Sequence, residues 1–186
     1  MISALGDLVP TIAPTAWVHP AATIIGDVTI GEQSSIWPGA VLRGDFGAIT
    51  VGARTSIQDN AVIHAAPDAP TTIGDECVIA HLAFIESAVI EDRCMVAVGA
   101  VVLPGARLRR GSVAAAGAVL ARRLEVPSGH RAQGVPAAVV APAHPDADYI
   151  ARGAADYVAM AERYARAGIG ALGFERSAAR VCALGG

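Results

Sequence analysis

A six-residue period runs through the chain from Val18 to Leu108, and few folds accommodate it. Aliphatic residues stand at Val18, Ile24, Ile30, Ile36 and Leu42, and after a short slip at Val51, Ile57 and Ile63. An insertion rich in Pro and Ala follows. The series resumes at Ile73, Ile79 and Ile85, slips by one to Ile90, and continues through Val96, Val102 and Leu108. Four residues after most of these comes a small or compact side chain, as at Val28, Ser34, Ala40, Thr55, Ala61, Cys77, Ala83, Cys94 and Ala100. Gly26-Asp27, Gly31-Glu32 and Gly74-Asp75 fall between them and suit tight corners where the backbone adopts positive φ. Alternation in twos would indicate an antiparallel sandwich and a 3.6 period would indicate helices; neither occurs before about residue 140. Each unit therefore reads as one short strand plus one corner. Three units close a triangular coil, and a coil buries its inward residues only by stacking on its neighbours. The expected fold is an all-β solenoid, a three-sided parallel β-helix.

The repeat weakens from Ala114 to Ala138, which reads as the final coil and its exit. Pro142 and Pro145 break the chain, and Asp146 or Asp148 caps a helix whose apolar side is Ile150, Ala154, Tyr157, Val158, Ala161 and Ala165. The predicted organisation is a β-helix domain over 1–140, a helix laid along it over 141–169, and a weakly structured tail over 170–186. The chain is 53% apolar and only 4% aromatic, which suits a narrow interior filled by Ala, Val, Ile and Leu.

The net charge of −3 comes without a basic run, so nucleic acid is not an expected partner. No apolar stretch approaches the roughly 20 residues of a transmembrane helix, and Met1 to Asp7 lacks the basic and apolar regions of a secretory signal. The expectation is a cytoplasmic protein that does not engage a membrane. Cys77, Cys94 and Cys182 have no metal-binding spacing, and the first two read as buried structural thiols.

Polar residues that interrupt the repeat cluster between residues 43 and 86: Arg43, Asp45, Gln58, Asp59, His64, His81 and Glu86. A sequence distance of one coil becomes one strand spacing, about 5 Å, in space. His64 directly follows an inward aliphatic while His81 lies two places beyond Ile79, so the two point differently within one chain; a trimer of triangular prisms offers a way to bring them together. Imidazoles are common ligands for zinc or iron, although both histidines also read as exposed corner residues. His19, His130 and His144 sit beside Pro or Gly in turns and carry no chemistry.

The run Leu42-Arg43-Gly44-Asp45-Phe46-Gly47, the segment Ser56-Ile57-Gln58-Asp59-Asn60, His64 before an insertion, and Ile79-Ala80-His81 resemble the gamma-class carbonic anhydrases. The resemblance extends over most of Asp7 to about Ile169. It implies a left-handed β-helix assembled as a homotrimer, with a divalent metal, Zn2+ or Fe2+/Co2+, in each interface. It further implies metal ligation by His64 and by His81 donated across the interface, Gln58 and Asp59 near the metal-bound water, and an interchain ion pair of Arg43 with Asp45. The third ligand position falls at Glu86, with Ser87 where a glycine usually follows. Two His plus one Glu with an open position is a known catalytic zinc set, but a carboxylate in place of an imidazole raises the pKa of bound water above the value near about 7 that hydration chemistry uses. The leading functional expectation is attack of metal hydroxide on CO2. The alternatives are a repurposed interface pocket acting on an acyl thioester or another metabolite with Glu86 as general base, a metal-free binding or scaffold protein, and an acyltransferase, since fold alone does not separate these.

Overall fold

The structure, a computed structural model, describes residues 1–172. It is the three-sided parallel β-helix that the period predicts, left-handed as the resemblance implies, about seven turns long, with one C-terminal helix. Strands of two or three residues recur on each side of the triangle. Ser35–Ile36, Ser56–Ile57, Val78–Ile79, Met95–Val96 and Val113–Ala114 pair in parallel on one side. Identical register on every coil stacks like residues on like. Ile36, Ile57, Ile79 and Val96 form one interior column. Leu42, Ile63, Ile85 and Val102 form a second, and Val51, Ile73, Ile90 and Leu108 a third. All belong to one core and are essentially fully buried. At about 1.5–3 kcal/mol for each large aliphatic removed from water, these columns supply the main stabilisation.

Two sides of the triangle merge into one 12-stranded sheet, because the strands Thr23–Ile30 and Val41–Val51 turn a corner without a break. Their register shifts between Gly26 and Val28. Glycine is needed at this corner, since a Cβ on Gly44 would stand 2.3 Å from the Asp27 carbonyl oxygen and one on Gly26 would stand 2.3 Å from that of Gly44. The bend sets Arg43 and Asp45 on either side of Gly44.

The third side is covered by the helix Ala147–Arg166. Asp146 is its N-cap, its carboxylate accepting the Tyr149 N–H at 2.8 Å, so the capping role falls to Asp146 rather than Asp148. Ile150 and Ala154 pack on Val78 and Val113, while Ala161, Tyr157 and Tyr164 close over Trp17 and Trp37. Ala171–Leu172 then pair antiparallel with Trp17–Val18; the remainder of the segment read as a tail, 173–186, lies outside the described residues, as does Cys182. Cys77 and Cys94 stand on successive coils in the interior. Burial pushes the Cys94 thiol up to about 11 and that of Cys77 higher still, which makes both unreactive. Among the described residues no helix is long and apolar enough to cross a membrane.

Candidate functional site

Parallel register places Arg43, His64 and Glu86 side by side on three successive strands of one face, about 4.8 Å apart from strand to strand. The His64 ring is the centre of this ladder. Its Nδ1 stands 3.1 Å from Glu86 Oε1 and its Nε2 stands 3.2 Å from Asp45 Oδ1. Arg43 forms an ion pair with Asp45 within the same chain, so the partners that the resemblance placed across an interface already meet inside one subunit. Partial desolvation works to raise the Asp45 pKa, but hydrogen bonds from Arg43, the backbone and His64 together outweigh it and hold the carboxyl below its ordinary value.

A neutral imidazole donates from only one ring nitrogen. With carboxylate oxygens at both, a cation shared between one ring nitrogen and its carboxylate would complement the arrangement. The donor set of imidazole and carboxylates thus fits a divalent metal, with Asp45 in the place of the carboxylate that commonly fixes the tautomer of a metal-binding histidine.

The opposite edge of the same face carries the other predicted residues. Ile57 and Ile79 are register partners, which sets Asp59 and His81 on stacked corners; His81 Nδ1 and Asp59 Oδ2 are 3.0 Å apart. Gln58 is buried beside them, its backbone N–H donating to the Ile79 carbonyl. The helix reaches this corner through Tyr157, whose phenol is pushed up in pKa by burial and then by the Asp59 charge. His81 lies in the turn that precedes the strand Phe84–Glu86, and Glu86 stands at the far end of that strand. Accordingly, no group of three or more His, Cys, Asp or Glu side chains converges as a metal site within one chain among the described residues.

Two local features escaped the sequence reading. Ser87, at the position where glycine was expected, has φ +48°; its hydroxyl accepts the Ala66 N–H at 2.8 Å and its own N–H donates to Thr71 Oγ1 at 2.8 Å. Those bonds stitch the insertion to the strand that carries Glu86. Phe46 is 63% exposed, its ring edge-on to His64 with centroids 6.1 Å apart. The signal was present: a large aromatic stands four residues after Leu42, where the period calls for a small inward side chain. His19 and His130 make only local turn contacts, with the Ala21 N–H and the Ser128 carbonyl.

A family profile described as bacterial transferase hexapeptide (six repeats) matches residues 10–44. The gamma carbonic anhydrase 1, mitochondrial, of Arabidopsis thaliana is 40% identical over 137 residues, covering 70% of this chain and 50% of the relative. The chain spans about half the length of that relative. A hexapeptide-repeat acetyltransferase of Vibrio cholerae, solved in complex with acetyl coenzyme A, shares the solenoid at 25% identity and TM-score 0.53, covering 61% of this chain and 69% of the other. The crystal structure of a hexapeptide transferase family protein from Anaplasma phagocytophilum superposes with TM-score 0.82 at 35% identity, covering 87% of this chain and 96% of the other. The period, the solenoid and that near full-length match together show that the chain belongs to the hexapeptide-repeat transferase family, with a gamma carbonic anhydrase among its curated relatives.

Proposed function

We propose that the chain is the subunit of a homotrimeric, metal-dependent enzyme of the carbonic anhydrase kind, hydrating CO2 at sites shared between neighbouring subunits. The observation that carries this reading is the His64 ring held between two carboxylates on one edge of a face whose other edge presents His81. His64 and Glu86 of one subunit and His81 of the next would hold a divalent cation, Zn2+ or Fe2+/Co2+, whose contribution is to make water nucleophilic near neutral pH. Asp45 orients His64, and Arg43 keeps Asp45 ionised. Gln58 and Asp59 stand beside His81, where they would orient the attacking water by hydrogen bonds.

The test is metal content per chain, on protein purified without chelator or nickel resin, together with mass in solution and CO2 hydration. One metal per chain in a trimer, lost in His64→Ala, supports the reading. A protein that is metal-free and also refuses added zinc overturns it. Glu86→His should tighten metal binding and raise hydration, because a neutral imidazole withdraws less of the cation's charge than a carboxylate does.

A second reading draws on the acetyl coenzyme A complex of the Vibrio relative and on the His64–Glu86 contact. In it the same interface pocket acts on an acyl thioester, and Glu86 accepts a proton from the attacking nucleophile. A rise in melting temperature with acetyl coenzyme A, and none with zinc, would favour it.

A further inference from the structure

Next to the His64 edge lies an open cleft of about 420 Å³. Its walls are Leu8, Phe46, Ala69 and Pro70 on the apolar side and Asp27 and Asp68 on the polar side. The room exists because the floor is backbone: Gly44 approaches Asp27, and a Cβ on Gly47 would meet the Ala66 carbonyl oxygen at 2.5 Å. Phe46 is held over it by its N–H, which donates to Asp45 Oδ1 at 3.1 Å, the same oxygen that faces His64. The ring is therefore displayed on a fixed backbone.

We propose that this cleft binds a small organic ammonium ion, with Phe46 as the aromatic contact and Asp27 and Asp68 as the charge partners. No Lys, Arg or His lines it, so an anion finds no counter-charge there. Neither Asp27 nor Asp68 makes an ion pair or a side-chain hydrogen bond among the described residues. Asp27 and Asp68 are exposed and lend the cleft a negative charge that a wholly apolar guest would not use, whereas an alkylammonium would set its methyl groups on Phe46, Leu8 and Pro70 and its charge near the acids. An exposed aromatic face beside carboxylates is the chemistry that recognises such cations. The wider field agrees. Residues 1–103 hold eleven Asp and Glu against three Arg, a net charge of −8, although the whole chain is only −3. The cleft thus opens in the acidic part of the solenoid, where cations accumulate. The proposal goes beyond CO2 hydration and does not rest on a metal being present.

The probe is choline, titrated by calorimetry and by NMR of the histidine ring protons, against 3,3-dimethylbutan-1-ol, which has the same shape without the charge. Choline should bind, shift the His64 ring signal identified by its loss in His64→Ala, and bind about tenfold or more tightly than the alcohol. Phe46→Ala and the double variant Asp27→Asn with Asp68→Asn should each weaken binding by about tenfold. Phe46 and both acids are exposed, so these variants keep the fold, which circular dichroism verifies. Absence of choline binding, equal binding of the neutral isostere, or an unaffected Phe46→Ala overturns the proposal. Chelator and Glu86→Gln should abolish CO2 hydration while leaving choline binding intact, which keeps the two readings separately testable.

Discussion

The two edges of one solenoid face differ in how much of their chemistry is assembled before any partner arrives. At the His64 edge the side chains interlock: His64 is 13% exposed, Asp45 20% and Glu86 27%. At the other edge the His81 and Asp59 side chains pair with each other and are 44% and 38% exposed. The His64 edge follows the Leu42, Ile63 and Ile85 column and the His81 edge the Ile36, Ile57 and Ile79 column, and the two columns share one core. The difference teaches that parallel register can interlock side chains on one edge within a single chain, while the other edge carries one exposed pair.

Removing what the edges share should have the largest effect. Ile85 is fully buried between Ile63 and Val102, and Ile85→Ala should cost about 2–5 kcal/mol in a denaturant titration. A loss below about 1 kcal/mol would mean that the stacked column is not what fixes the strands.

A smaller effect should fall on one edge alone. Gly44→Ala drives a methyl group to 2.3 Å from the Asp27 carbonyl oxygen, in backbone that has no rotamer to yield; the overpacking should cost about 1–3 kcal/mol or more and displace Arg43 and Asp45 from His64. Gly99 is the counterpart at the other edge, its N–H donating to the His81 carbonyl. It has φ +65° and nothing within 4 Å of its would-be Cβ, so Gly99→Ala should cost only the left-handed strain, about 1 kcal/mol. Equal losses for the two glycines, measured by thermal melts, would erase the asymmetry between the edges.

Much of this was legible beforehand. The period gives the register, and coil-to-coil stacking was expected to draw polar residues between 43 and 86 together, as it does for His64 and Glu86. It also predicts that His81 points elsewhere. What a period does not encode is the path of the backbone where the period fails. Phe46, Gly47 and the 65–70 insertion lie in such a stretch, so the cleft they frame and the aromatic contact on His64 were not foreseen. Ala138–Val140 and Ala171–Leu172 form strands antiparallel to their neighbours and were read as exit and tail, because backbone pairing of short segments leaves little imprint on side-chain pattern. Arg43 and Asp45 were expected to pair between chains; within a single chain their side chains also form an ion pair.

The smallest effect is electrostatic and sharpens the same contrast. Asp45 has its carboxyl held below the ordinary value in the folded chain. A group depressed in this way adds stability that is present above its unfolded pKa, about 3.9, and is lost as pH falls through the lower folded value. Arg43→Ala removes the strongest of the contacts that hold it down, so the Asp45 titration should move upward toward the ordinary value. The variant should be less stable than the parent at neutral pH by about 0–1 kcal/mol, as suits a partly exposed ion pair, and the gap should close as pH falls through the lowered folded value and Asp45 becomes protonated in both proteins. Arg43 lies at the His64 edge, so the His81 ring chemical shifts at neutral pH should match those of the parent. A gap that persists undiminished at low pH would assign the loss to the packing of the Arg43 stem, and the preassembled edge would then owe its order to shape and not to charge.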